Sequence, residues 1–441
     1  MLANEYLAED IQLYLQELGK FITANKLTEY LTCPEIKLQH GITKNISKPT
    51  ACCYLAALGY RFTCPKKGQF SDGHERADIV FYRENVYLPK LATALETSWI
   101  YKNDGSITLP TIPPNQRRTV IWYHDESIFY AHDRRHKTWY HKDASAVPYK
   151  KGDGASFMIA DYVLADFGWL RGINGETARK TMWPGANKDG YFTVEDIKAQ
   201  AMQAITIAQT RWPEIDHILV YDNATTHRKR EDGCLSARHM PKKPSGSTNR
   251  KTKSGEDPNF MVEVNKRDAD GKLLYNPHGN LQKEKIRMTG ALFSDGTPQP
   301  LYFPADHPQY PNKFKGMKEI IEERGLHQFA TLPAECKQFK CADTQANCCC
   351  RRVLFNQPDF ASIKSILEIA CEEHGVQVLF LPKFHCKLNH IEMCWGYAKR
   401  LYRLNPESSR EDVLEKNALA ALEQVPLEVI QQYVFYIVVS A

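Results

Sequence analysis

The chain has 441 residues, 43% of them hydrophobic and 25% charged, with 57 basic against 52 acidic side chains and a formal net charge of +5. This composition excludes a wholly disordered or fibrous polymer, leaves room for two or three domains, and permits a polyanionic partner without requiring one. The thirteen cysteines are partly clustered, and the N-terminus MLANEYLAEDIQLYLQELGKF has no basic stretch before an apolar core. A secretory disulfide framework is therefore excluded in favour of a reducing compartment with free or metal-bound thiols; no apolar run approaches the ~20 residues that cross a bilayer.

Residues 1 to about 95 read as compact and helical. In ISKPTACCYLAALGYRF (46–62), Ser47 is a fitting N-cap, Pro49 stands in the first turn, and Ala51, Tyr54, Leu55 and Leu58 share one face before a stop at Gly59. Preceded by LTEYLTCPEIKLQHGITKN, this segment has the pattern of the second helix of a helix-turn-helix, whose N-terminal residues face the major groove of DNA. The same pattern occurs in helical hairpins that never touch DNA. KKGQFSDGHERADIVFYRENVYLP (66–89) is polar and turn-rich before becoming helical, and reads as the linker into the next domain.

From about 115 the texture changes to strands. RRTVIWYHDESIFYAHD (117–133) is rich in aromatic and β-branched residues, KTWYHKD (137–143) reads as its hairpin partner, and GASFMIADYVLADFGWL (154–170) as a further strand. TVEDIKAQAMQAITIAQTRW (193–212) opens on a capping signature at Thr193 and Asp196 and carries Val194, Ile197, Ala201, Ile205 and Ala208 along one side, which predicts a helix. HILVYDN (217–223) has the continuous apolar character of a buried parallel strand. Between about 228 and 345 the pattern fails. RKREDGCLSARHMPKKPSGSTNRKTKSGEDPNF is dense in Lys, Arg, Ser, Gly and Pro, and reads as an exposed loop or lid whose basic excess suits phosphates. SIKSILEIACEEHG (362–375) predicts a helix, VQVLFLP (376–382) a buried strand, and LNHIEMCWGYAKR (388–400) an amphipathic helix with Leu388, Ile391, Trp395, Ala398 and Leu401 along its stripe. The order of elements predicts a three-layer α/β domain on a mixed sheet.

Three acids stand out on these elements: Asp125 near the middle of the first strand, Asp222 at the end of HILVYD, and Glu392 in the first turn of the last helix. Strand C-terminal ends are where α/β sheets bind ligands. Singly each acid has an ordinary explanation, such as turn chemistry for Asp222 with Asn223. Buried together, three uncompensated carboxylates would each cost several kcal/mol unless a cation shared the site. Hard oxygen donors in low number suit Mg²⁺ or Mn²⁺, and two such ions about 4 Å apart stabilise both the attacking and the leaving oxygen of an in-line displacement at phosphorus. Strand alternation turns Glu126 to the face opposite Asp125 and so places it outside the site. Asp133 and Asp143 fall in turns, and Asp161 and Asp166 rank below the chosen three.

HDESIF (124–129), YDNATTH (221–227) and LNHIEMCWGYAKR (388–400) resemble, in order, the three blocks of the mariner-like DDE transposases. Asp125 and Asp222 stand 97 residues apart, an ordinary gap for that family, whereas the 170 residues from Asp222 to Glu392 far exceed the usual one. DGHER (72–76), CCCRR (348–352), NQPDF (356–360) and FLPKFHCKLN (380–389) resemble the long fungal transposase-derived DDE superfamily endonucleases, and His390 stands where a proline is usual before the isoleucine. The resemblance implies an RNase H-like catalytic domain over 115–403 with an insertion at about 228–360, a helix-turn-helix region and linker over 1–95, and a C-terminal helical segment over 404–441. It implies Asp125, Asp222 and Glu392 as ligands of Mg²⁺ or Mn²⁺ in a nuclease and strand-transferase acting on double-stranded DNA, both transposon ends and target, in the nucleus and as a homodimer. Asn223, His227 and Asn389 become candidates for orienting a carboxylate or contacting a phosphate, and Ser47, Lys48, Thr50 and Tyr54 lie near the recognition end of the DNA-binding helix. Lys399 and Arg400 reach the DNA backbone or form a solvated helix face, and Trp395 is a core residue. Mariner-type enzymes carry two N-terminal DNA-binding units and the long fungal relatives extend further at the C-terminus, so a truncated copy is one expectation. A catalytically silent, transposon-derived DNA-binding protein is the alternative, and a nuclease acting on RNA, with no helix-turn-helix, is a third reading.

ECKQFKCADTQANCCCRR (335–352) concentrates thiols inside the insertion. Cys336, Cys341, Cys348 and Cys350 are candidates for a tetrahedral zinc site stapling a small lobe, against buried free thiols as the other reading. The spacing is not one of the standard paired arrangements, and three adjacent cysteines do not easily share one ion.

Overall fold

The computed structural model of the protein describes residues 5–18, 22–60, 73–133, 152–185, 187–247, 258–269, 273–276, 278, 280–337, 341, 346–406 and 408–440. They fall into two compact units, Met1–Asp72 and Gly73–Ala441.

The first unit holds α1 (Glu5–Leu18), α2 (Ala24–Thr32), α3 (Pro34–His40) and α4 (Lys48–Ala57). Leu7, Ile11 and Leu15 recur every four residues and bury one stripe of α1 against Leu27, Leu31, Ile42, Ile46 and Ala51. Two helix starts are capped by side chains: Thr23 Oγ1 accepts from the Lys26 amide at 3.2 Å, and Ser47 Oγ, as its sequence predicts, from the Thr50 amide at 3.4 Å. Tyr54, Leu55 and Leu58 pack beside Ala51, so α4 buries the face its spacing predicts. Residues 41–47 join α3 to α4, a longer connection than the ~3–4-residue turn of a tight helix-turn-helix.

The second unit opens on α5 (Ala77–Tyr82), which runs through one π-helical turn at Arg83–Tyr87 into α6 (Leu88–Leu95). The stretch read from sequence as a linker therefore belongs, in its described part, to the second unit: Tyr87, Leu91 and Ala94 pack on Tyr123, Ile218, Val220 and Leu379 of the sheet. A two-residue hairpin, β1 (Ile100–Tyr101) with β2 (Ile107–Thr108), precedes β3 (Arg118–Tyr130), β4 (Ser156–Leu164), β5 (Gly168–Trp169), β6 (Lys180–Met182), α7 (Val194–Arg211) and β7 (Ile215–Tyr221). β4 is the antiparallel partner of β3; the segment 137–143, read as that partner from sequence, lies outside the described residues. After the insertion come α12 (Ile366–Glu372), β10 (Gln377–Phe380), α13 (Ile391–Tyr402), α14 (Glu411–Glu423) and α15 (Leu427–Ser440).

The central sheet has the order β10-β7-β3-β4-β5, with β6 also on β4. β3, β7 and β10 run parallel, whereas β4 pairs antiparallel with each of β3, β5 and β6, the mixed RNase H-like sheet that the resemblance leads one to expect. Alternation divides its side chains between two layers. Trp122, Tyr162, Leu219 and Tyr221 meet α7 and α12 on one face. On the other, Phe129, Phe157, Ile159 and Trp169 meet α13 and α14. No helix among the described residues is long and apolar enough to cross a membrane.

The insertion is a folded lobe, which corrects its reading as an exposed loop. It carries β8 (Val262–Asn265), β9 (Lys283–Ile286), α8 (Met317–Glu323), α9 (His327–Ala330), α10 (Cys350–Phe355) and α11 (Pro358–Ala361). Leu235, Met240, Met288, Leu301, Phe314, Ile320 and Val353 share a core of its own, and Arg324 grips Asp359 through two hydrogen bonds of 2.9 and 2.8 Å. Met317, Ile320 and Ile321 of α8 and Cys350, Val353 and Leu354 of α10 recur at helical spacing, whereas Leu235, Met240, Met288 and Leu301 stand apart along the chain and show no period.

Candidate active site

The site follows from strand register. β3 and β7 pair in parallel with Tyr123 opposite Val220. That pair ends the ladder; Asp125 lies two residues further along β3, and Asp222 is the first residue past the end of β7 at Tyr221. Tyr123 and Val220 share the cluster under α6, so by the period of two Asp125 faces that side of the sheet, and the charge of Asp222 reaches it from the end of β7. α13 reaches that side as well: Trp395 Nε1 donates to Asp125 Oδ2 at 3.1 Å, and Glu392 sits one turn earlier on the helix. Asn389 Nδ2, immediately before α13, donates to the His124 carbonyl at 3.1 Å, which pins the start of the helix to β3.

The electrostatics register this convergence. Burial first, and then the neighbouring charges of Glu392, Glu126 and Asp222, push the Asp125 carboxyl well above the usual carboxylate range. At the mouth of the site, Glu392 is raised by partial burial and by Asp222, against the opposing effect of Lys399. Three oxygen-donor side chains repelling one another near the end of the ladder that joins two interior strands fit a hard divalent cation, whose charge would reverse both shifts. Asn389 adds a buried Oδ1 with no hydrogen-bond partner.

Asp222 behaves differently. Burial works against its ionisation, but the hydrogen bond from His227 outweighs that and lowers its pKa. The His227 Nδ1 to Asp222 Oδ1 distance is 2.5 Å, and the opposite ring nitrogen lies 3.2 Å from Glu126 Oε1. Burial would discharge this imidazole, yet the hydrogen bonds to Asp222 and Glu126 carry its pKa up to about 10. This corrects the exclusion of Glu126. Its side chain does point to the opposite face from Asp125, as alternation requires, but His227 couples it to Asp222 around the end of the sheet. Only the histidine in YDNATTH hinted at that link. One ligand atom from each of His124, Glu126 and His227 lies within 4.8 Å of the others, a spacing a metal could use. His227, however, is engaged at both ring nitrogens, by Asp222 and Glu126, whereas His124 binds Gln200 Oε1 through Nε2 at 3.0 Å and keeps a buried Nδ1 with no hydrogen-bond partner.

The remaining predicted residues divide. Asn223 Nδ2 donates to the Leu381 carbonyl at 3.1 Å and clamps β7 to the chain after β10, a bracing contact rather than one to a carboxylate. Trp395 is 2% exposed, both a core residue and the donor to Asp125. The Lys399 ammonium lies 5.5 Å from the centre of the Phe129 ring, and the Arg400 guanidinium 4.4 Å from that of Tyr397. Asp161 stands directly opposite Asp125 on β4, but its carboxylate is held by Arg179 Nε at 2.5 Å. Asp166 is paired with Arg118 and accepts from Tyr101. In the first unit, the Ser47 and Thr50 hydroxyls hydrogen-bond to each other at 2.9 Å, Lys48 is exposed on the first turn of α4, and Tyr54 is half-buried. Of the predicted thiols, Cys336, Cys341 and Cys348 come together with Cys349, while Cys350 points elsewhere.

No protein-family model and no curated protein matches the chain. Among solved structures it is similar to a Mos1 transposase paired-end complex with the left transposon end, at 16% identity and a TM-score of 0.28, over 50% of this chain and 52% of that one. It is similar also to a Mos1 mariner paired-end complex with Mn, at 15% identity and a TM-score of 0.27 over 50% and 53% of the two chains. A pre-cleavage Mos1 transpososome matches at 14% identity and a TM-score of 0.28 over 51% and 54%. The chain thus spans about half the length of the solved chains it matches.

Proposed function

We propose that the second unit is a DDE-type nuclease that hydrolyses DNA phosphodiesters and transfers the strands. What supports this reading is that the charges of Asp125, Asp222 and Glu392, carried by β3, the end of β7 and the first turn of α13, are felt by one another. These three would hold Mg²⁺ or Mn²⁺, which when bound supplies Lewis-acid stabilisation of the phosphorus-bound oxygens and a nucleophile at neutral pH.

The chain's own residues do the positioning. Trp395 fixes one oxygen of Asp125, His227 fixes one oxygen of Asp222, and Asn389 anchors the helix that presents Glu392. Lys399, whose charge is felt by Glu392, adds a cation at the edge of the site where a phosphodiester backbone would approach. The blocks around the three acids favour double-stranded DNA as substrate, with α4 of the first unit as the reading helix. Two transposon ends processed together would call for a homodimer, and such a substrate would put the protein in the nucleus.

The test is nicking of supercoiled plasmid in Mg²⁺ or Mn²⁺ by the full chain and by Asp222→Ala. Metal-dependent nicking present in the first and lost in the second supports the proposal. One observation favours a second reading, that of a silent DNA-binding protein: Asp222 already has a close side-chain partner in His227, whose other ring nitrogen is taken by Glu126. Salt-sensitive DNA binding with no nicking by the intact chain would decide for it.

A further inference from the structure

Outside the acidic site, the strongest cluster of ligating side chains lies in the insertion lobe. One Sγ from each of Cys336, Cys341, Cys348 and Cys349 lies within 4.8 Å of the other three. The Cys336 and Cys348 sulfurs are 3.5 Å apart, far beyond the ~2.05 Å of a disulfide bond. Four thiolates at ~2.3 Å from a tetrahedral zinc ion stand about 3.8 Å from one another, within the range these sulfurs already span. The fourth candidate ligand is Cys349 and not Cys350. Cys350 opens α10, and its thiol turns into the lobe core toward the carbonyls of Leu332 at 3.3 Å and Phe329 at 3.7 Å. Cys349, with extended backbone at φ −155° and ψ 159°, is fully buried with its sulfur in the cluster. Arg352, only 7% exposed, hydrogen-bonds the Cys341 thiol and brings a positive charge against the sulfurs.

We propose that these four cysteines form a structural zinc centre. Zn²⁺ displaces four thiol protons and leaves a tetrathiolate of net charge −2, part of which the Arg352 guanidinium offsets. With four protein ligands the centre is closed to substrate. Its role is mechanical: it ties the segment 336–349, whose described residues form no α-helix or strand, to the start of α10 and so to the lobe core. This centre is independent of the acidic site.

The test uses the full chain produced with zinc in the medium. Metal content is measured by mass spectrometry, and the zinc is replaced by cobalt to read the thiolate-to-cobalt charge-transfer absorption. About one zinc per chain is expected in the parent, retained in Asp222→Ala and in Cys350→Ala, lost in Cys341→Ser, and retained in Cys336→His, which supplies another zinc ligand. Zinc at background level in the parent overturns the proposal, as does a disulfide joining any two of the four cysteines in the non-reduced digest. Zinc lost with Asp222→Ala but kept with Cys341→Ser also overturns it, since the ion would then sit at the carboxylates. If the cysteine variants fail to fold, the cobalt spectrum of the parent decides: four-thiolate bands support the centre, and their absence sinks it.

Discussion

His227 joins Asp222 to Glu126, with one ring nitrogen 2.5 Å from the first carboxylate and the other 3.2 Å from the second. A single buried imidazolium thereby sets the orientation of an expected metal ligand from the far face of the sheet. Outer-shell partners of this kind commonly carry about 10–100-fold in metal affinity or activity. His227→Ala is therefore expected to raise the Mg²⁺ concentration needed for half-maximal nicking by a factor in that range, with DNA affinity unchanged. His227→Gln, which keeps a donor toward one carboxylate, should recover part of the loss. An unchanged Mg²⁺ dependence in the alanine variant would remove His227 from the site.

Ionising Asp125 is costly, because burial and three neighbouring acids oppose its charge. In Asp125→Asn the side-chain oxygen can still accept from Trp395, while the repulsion with Asp222 and Glu392 disappears. Without metal, this variant should unfold at a higher temperature than the parent, by about 1 kcal/mol in stability. Mg²⁺ should then stabilise the parent and not the variant, and nicking should be lost. Thermal melts with and without Mg²⁺ check all but the last; a metal-free melt in which the variant is the weaker protein would contradict the account.

The insertion lobe depends on a pair that the acidic site does not share. Arg324 and Asp359 have side chains only 5% and 7% exposed. Burial opposes the Asp359 charge, but the Arg324 hydrogen bonds prevail and hold its pKa below the usual value. A carboxyl whose folded pKa is depressed stabilises the fold above its unfolded value of ~3.9, and that contribution drains away as pH falls through the folded value. Asp359→Asn leaves a buried guanidinium unpaired and should cost about 3–5 kcal/mol at neutral pH. Hydrogen exchange of the α8 and α10 amides reads this directly: protection in the parent should fall on acidification below about pH 4, and protection in the variant should already be low at neutral pH. Equal protection at neutral pH would show that the pair contributes nothing.

Ser47 and Lys48 neighbour each other at the start of α4 but should fail in different ways. The Ser47 hydroxyl is committed to capping the helix and to Thr50, so Ser47→Ala should cost ~1 kcal/mol of stability and leave the salt dependence of DNA binding alone. Lys48 is exposed on the first turn. Lys48→Ala should keep stability and lower the salt slope of DNA binding by about 1, as for one lost phosphate contact. Binding isotherms at several salt concentrations separate the two, and an unaltered slope in Lys48→Ala would take that lysine off the DNA.

Local features could be read from the chain because their physics is local. The capping box at Thr193 and Asp196 closes within one turn, with hydrogen bonds of 2.9 and 3.3 Å, so four residues contain all the information. The apolar runs that became β7 and β10, the stripe of α13, and the acids at their ends were legible for the same reason, since a period of 2 or 3.6 is visible in a short window. Those elements and their order were enough to expect a three-layer α/β domain on a mixed sheet, and the resemblance of the blocks around Asp125, Asp222 and Glu392 implied that it is RNase H-like.

What tertiary structure alone decided involves partners far apart in the chain. The choice of β4 to pair with β3, the seating of α6 under the sheet, and the gathering of α8, α10 and isolated residues such as Leu235, Met240 and Met288 into one lobe core leave no trace in any window. Glu126 was set aside by a correct rule of alternation, because the rule describes one strand and the link through His227 crosses 101 residues. Cys349 replaced Cys350 in the thiol cluster because the direction of each sulfur depends on where α10 begins and on which carbonyls the lobe core presents. Periodicity specifies which face a side chain takes; what it meets there is settled only when distant segments pack.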